Sequence, residues 1–131
     1  LRKSNCSVLM LTNPSVSPQP FQSVVVNAED SAFIAEALKT ACTIAQADHS
    51  HWLHVVREVK LYGLSMASLD DCSEDEYNEV RNRLLKTEIE NVERMLQTIP
   101  HQGVKINIKL LSGKSGFELS KFAERKQADL L

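Results

Sequence analysis

Two short β-branched runs carry the residues best placed for chemistry: residues 24–27 (VVVN) and residues 53–57 (LHVVR), separated by a stretch of helical periodicity. Strand, helix, strand in that order describes a right-handed βαβ unit, and ligands of such units bind at the carboxyl ends of the strands. Asn27, Ala28 and Arg57 therefore stand at the expected functional edge. An amide at Asn27 can hydrogen-bond a ribose, though without the charge of a carboxylate. Gly113-Lys114-Ser115 carries the last three positions of the phosphate-loop pattern, in which backbone N–H groups wrap phosphates and lysine neutralises charge. The leading glycine of that pattern would fall at Ile108, inside an apolar strand, so Ser115 reads as a helix cap. Gly113 and the N–H groups after it could still touch an anion.

Three of the four histidines lie in residues 48–54 (DHSHWLH), and an H-x-H pair can chelate a transition metal. No cysteine stands near them, and His49 and His51 read as the turn into the second strand. The acidic run at residues 70–76 (DDCSEDE) supplies hard oxygen ligands but lacks the alternating ligands and central glycine of a calcium loop. It reads as a solvated loop feeding a helix N-terminus, where the macrodipole favours acids. No G-x-S-x-G elbow occurs, so no serine triad is expected. Cys6, Cys42 and Cys72 are odd in number and widely spaced, which fits reduced thiols and a cytoplasmic chain.

The elements that must position these groups follow from patterning. With 131 residues, 43% hydrophobic and 24% charged, the chain suits one soluble α/β domain. Its net charge of −2 offers no basic field for nucleic acid. No apolar run nears the roughly 18 residues a membrane span needs, and the first residues, interrupted by Ser4, Asn5 and Ser7, do not read as a signal peptide. Residues 6–12 (CSVLMLT) read as a strand, and residues 13–20 as a proline-rich linker. A strand at residues 21–27 follows. The helix over residues 31–48 turns Phe33, Ile34, Ala37, Leu38, Ala41, Ile44 and Ala45 to one face, with Asp30 or Ser31 as its N-cap.

Residues 57–71 have no clean period, and Tyr62-Gly63 marks a loop. Ser73-Glu74-Asp75-Glu76 is a capping box opening a long helix, with Val80, Leu84, Leu85, Ile89, Val92, Leu96 and Ile99 as its core stripe. Pro100 and Gly103 end it. Residues 104–111 (VKINIKLL) alternate as an edge strand would, whereas Val24-Val25-Val26 is uniformly apolar, as in a strand covered on both faces. Ser115-Gly116-Phe117-Glu118 opens a further helix to about residue 127. Residues 128–131 (ADLL) start one more strand, so the chain reads as a fragment of a doubly wound sheet.

Taken in order, strand, helix, HVV at residues 54–56, long helix, strand, Gly113, helix and ADLL at residues 128–131 resemble the universal stress protein family over nearly the whole chain. Residues 25–31 (VVNAEDS) occupy the place of that family's A-V-D-G-S. Residues 1–10 (LRKSNCSVLM) are similar to its final strand, L-R-R-S-P-C-P-V-L-V-V, yet here they come first. The resemblance thus implies a tandem arrangement: residues 1–12 as the last strand of one repeat, 13–20 as linker, and 21–131 as the next repeat, truncated in its fourth strand.

The family likeness implies a mainly parallel five-stranded sheet of order 3-2-1-4-5, with strand five supplied by a preceding repeat or another subunit at a self-associating edge. It further implies adenine-nucleotide binding, ATP above all, through an Asp ending strand one, backbone after strand two, and a glycine-rich motif after strand four. Asn27 stands at the Asp position, and the glycine motif would fall beyond Leu131. Carried over residue by residue, the cofactor-binding set is Asn27 and Ala28, Val55 for a backbone contact to the base, and Gly113. The competing reading is that these residues only end buried strands. The resemblance implies a non-enzymatic stress-response regulator, or alternatively a cytoplasmic regulatory domain of a membrane transporter or sensor.

Overall fold

The computed structural model describes residues 6, 8–10, 16–61, 73–114 and 116–131. Among them lie strand β1 (Ser23–Asn27), helix α1 (Ile34–Ala47), strand β2 (Trp52–Glu58), helix α2 (Glu74–Gln97), strand β3 (Ile106–Leu111) and helix α3 (Phe117–Arg125). The strands form a parallel sheet of order β1-β2-β3. Val25 faces His54 across the first ladder, and His54 faces Asn107 across the second. The protein is therefore α/β, and among the described residues the alternating strand at residues 104–111 is an edge strand as its pattern predicts. On the opposite edge, Leu130 makes one parallel bridge to Val24, and Val25 N–H donates to the Leu130 carbonyl at 2.8 Å. The Asp129 carboxylate fixes that segment by accepting from the Gln22 and Ser23 N–H groups at 2.8 and 2.9 Å.

Strand alternation divides the core in two. Val24, Val26, Leu53 and Val55 pack with Leu38, Ala41, Cys42 and Ala45 of α1 and with Val92 and Leu96 of α2. Val25, Val56 and Leu111 pack on the other face against Phe122 of α3. Helices thus cover both faces, which is why the central strands are apolar on successive residues rather than alternating.

Several boundaries differ from the patterning. The N-cap of α1 is Phe33 rather than Asp30 or Ser31. The Ser31 hydroxyl accepts from the Phe33 N–H at 3.3 Å, closing a turn before the helix instead of capping it. Phe33 consequently lies outside the helical stripe and is 75% exposed. The capping box at Ser73 is present, with Glu76 N–H donating to Ser73 Oγ and Ser73 N–H to Glu76 Oε2. The apolar stripe of α2 is used only in its second half, where Val92 and Leu96 are buried while Val80 and Leu84 are exposed. A 24-residue helix runs about 36 Å, whereas the seven residues of β2 span about 23 Å. The helix outruns the sheet.

The N-cap of α3 is Gly116, at φ +77°, with no side-chain cap; the expected cap Ser115 lies outside the described residues, as do Tyr62-Gly63 and Asp70 to Cys72. Cys6 and residues 8–10 are outside any strand, and Val8, Leu9 and Met10 are exposed. The rest of the strand expected at residues 6–12 lies outside the described residues.

Candidate functional site

Arg57 is the best-defined polar centre at the carboxyl ends of the strands. Alternation along β2 turns it toward the α1 and α2 face, where it is 7% exposed. A buried guanidinium needs partners for its donors. Nη1 donates to the Ala28 carbonyl at 3.2 Å, and Nη2 donates to Asp30 Oδ2 at 2.8 Å. Nε lies 2.5 Å from Glu88 Oε2 as an ion pair, although the angle is not that of a hydrogen bond. One side chain thus joins the end of β1, the loop that follows it, and α2. A depression of about 350 Å³ lies over this cluster, lined also by Glu29, Glu58 and Lys60.

The four residues expected at the nucleotide site behave differently. Asn27 ends β1, and its Oδ1 is buried with no hydrogen-bond partner among the described residues. It lines a cavity of about 950 Å³ together with Val24, Val26, Ala41, Ile44 and Leu130. Ala28 is fully buried, its N–H donating to the Val56 carbonyl at 2.7 Å and its own carbonyl taken by Arg57. Val55 is also fully buried, flanked by Val26 on one side and Ile108 on the other, and β2 continues three residues past it. Its peptide group therefore belongs to the ladder interior rather than to a strand end.

Gly113 lies past β3 at φ +153°, and β2 separates its strand from that of Asn27. A Cβ at Gly113 would come within 2.7 Å of Glu118 Cγ, so glycine is needed for close approach. The N–H of Gly116, which opens α3, donates to Glu58 Oε1 at 2.8 Å. The protein's own carboxylate therefore occupies the helix end where sequence reasoning expected an anion. Sequence reasoning missed Glu58 in this role, and it missed the Asp30 and Glu88 partners of Arg57, because both depend on how separate elements dock.

The histidines do not gather. His49 and His51 are exposed at the turn, while His54 is buried, and no three potential ligands group around a metal position among the described residues. His54 Nδ1 lies 3.1 Å from Asn107 Nδ2. An amide nitrogen only donates, so Nδ1 accepts and the neutral ring carries its proton on Nε2. Burial holds the His54 pKa below the ordinary histidine value, and the Lys126 charge adds to that lowering. Burial pushes the Cys42 thiol up, which makes it an inert core group rather than a nucleophile. No described helix is long and apolar enough to cross a membrane. Neither a protein-family model, nor a curated protein, nor a solved structure matches the chain.

Proposed function

We propose that this protein is a universal stress protein-like cytoplasmic regulator, binding an adenine nucleotide weakly and self-associating through a sheet edge, with binding rather than catalysis as its role. The observation that carries the reading is Asn27 Oδ1 at the end of β1, a buried acceptor with no hydrogen-bond partner among the described residues, on a side chain that borders a roomy cavity running along β1. A buried unsatisfied acceptor costs about 1–3 kcal/mol, and a ligand hydroxyl met by a turn of the Asn27 side chain toward the cavity would recover it. The parallel order β1-β2-β3, with Leu130 bridging the far side of β1, supports a five-stranded sheet of order 3-2-1-4-5. Among the described residues that line this cavity there is no lysine or arginine, which fits contact with a ribose rather than with phosphates.

Calorimetric titration of the full-length protein with Mg-ATP tests the reading, using wild type beside Asn27→Asp. Restoring a charged acceptor at the strand end should tighten nucleotide binding by about tenfold, since charge-assisted hydrogen bonds are roughly twice as strong as neutral ones. Affinity that is unchanged or weaker in the variant counts against the pocket.

A further inference from the structure

At the other end of the sheet, the amino ends of the strands frame a separate groove of about 430 Å³, lined by Ser23, Trp52, His54, Ile106, Asn107 and Lys126. Helix α3 covers the upper part of this face through Phe122 and leaves Trp52, the first residue of β2, exposed. The alternation of β2 brings Trp52 and His54 to the same side, with ring centroids 6.1 Å apart and planes at 18°. His54 in turn meets the edge of Phe122 at 5.5 Å and 82°, so three aromatic rings run in series from the groove into the core. Trp52 is 47% exposed, which leaves indole surface open to the groove.

Polar groups converge on the same space. Asn107 spends one amide hydrogen on His54 Nδ1 and has a second to offer. Lys126 is the one charged residue among the described residues that line the groove. Its backbone is held by α3, and its carbonyl accepts from Ser23 Oγ at 3.2 Å. Its ammonium stands 5.9 Å from the centre of the Phe122 ring and has no carboxylate partner among the described residues. An open aromatic face beside one cation and one amide donor matches a flat, singly charged anion. The volume lies within the roughly 300–1,000 Å³ of small-molecule sites.

We propose that this groove binds a small aromatic carboxylate, its ring stacked on Trp52 and its carboxylate held by Lys126 and Asn107. The site is independent of the nucleotide reading, because it lies at the opposite ends of the strands from Asn27. A free acid of this kind contributes apolar area for the indole and one charge for the ammonium, whereas a polyphosphate would bring more charge than one lysine offsets.

The test is a titration of the full-length protein with 1-naphthoate, followed by the indole N–H resonance of Trp52, the one tryptophan among residues 1–131. The neutral analogue 1-naphthalenemethanol and the exposed-site variant Lys126→Met are run in parallel. Saturable shifts at Trp52 and at the Asn107 side-chain amide are expected, with affinity at least about tenfold weaker for the neutral analogue and for the variant. Naphthoate binding should also persist in the presence of Mg-ATP. Absence of saturable shifts overturns the proposal. So does equal affinity for acid and alcohol, which would mark an unspecific apolar patch, and so does unchanged affinity in Lys126→Met.

Discussion

Arg57 joins three parts of the chain through one buried guanidinium, and its removal should be felt well beyond the strand it belongs to. Replacing it with methionine leaves the buried Glu88 Oε2 without its cation and frees the Ala28 carbonyl. Breaking a buried ion pair from one side costs about 3–5 kcal/mol; with Asp30 largely exposed, about 3 kcal/mol is expected for Arg57→Met in urea unfolding. A loss under about 1 kcal/mol would show that the cluster is not a structural tie. His54 gives a second residue-scale expectation. Its folded pKa is lowered from 6.5, so between those two values the unfolded chain binds the proton and the folded one does not. Stability is therefore fully present above the unfolded value, declines as pH falls through the folded pKa, and levels off below it. Thermal melts from pH 7.5 to 5.5 should show that decline, and His54→Asn should flatten it; a variant profile parallel to wild type would contradict it. Arg57 and His54 were both conspicuous in the sequence as polar residues in an apolar run. Their partners, Glu88 and Asn107, lie 31 and 53 positions away, separations that no local pattern encodes.

At the scale of elements, patterning located every strand and helix of the described chain, because periods of 2 and 3.6 are backbone properties that burial must respect. Termini were less legible. Ser31 and Phe33 show why: a hydroxyl can close a turn or cap a helix with the same residues, and the docking of α1 on the sheet chooses between them. The stripe of α2 reads as uniformly apolar along the helix, yet its burial depends on the length of the sheet beneath it. The connection from β3 to α3 carries an element-scale prediction. Gly113 combines positive φ with close approach to Glu118, so Gly113→Ala should destabilise the protein by about 1–3 kcal/mol. Adding Glu118→Ala should relieve the steric part and leave the backbone part, which chemical denaturation of the single and double variants would separate. Full recovery in the double variant would mean that the positive φ carries no strain.

For the whole molecule, the β1 side of the sheet is where association is expected. Val8, Leu9 and Met10 expose 52%, 65% and 63% of their surface, and Val8 stands beside the cavity that Asn27 lines. Exposed apolar residues next to an incompletely paired strand mark an interaction edge. Deleting residues 1–12 should therefore lower the solution mass of the protein, as measured by light scattering; an unchanged mass and an unchanged melting temperature would sink the self-association reading. The sequence by itself determined the α/β class, the positions of the elements, the edge character of β3 and the capping box of α2. Each of these rests on local periodicity or on bonds within one turn. Only the tertiary structure decided that Asn27 keeps a buried oxygen unpartnered among the described residues, that Ala28 and Val55 are absorbed into the ladder, that Glu58 fills the N-terminus of α3, and that Trp52, His54, Asn107 and Lys126 share one groove. Those facts come from the register between strands and the docking of helices, which bring together residues far apart in the chain and so leave no signature in any single window of it.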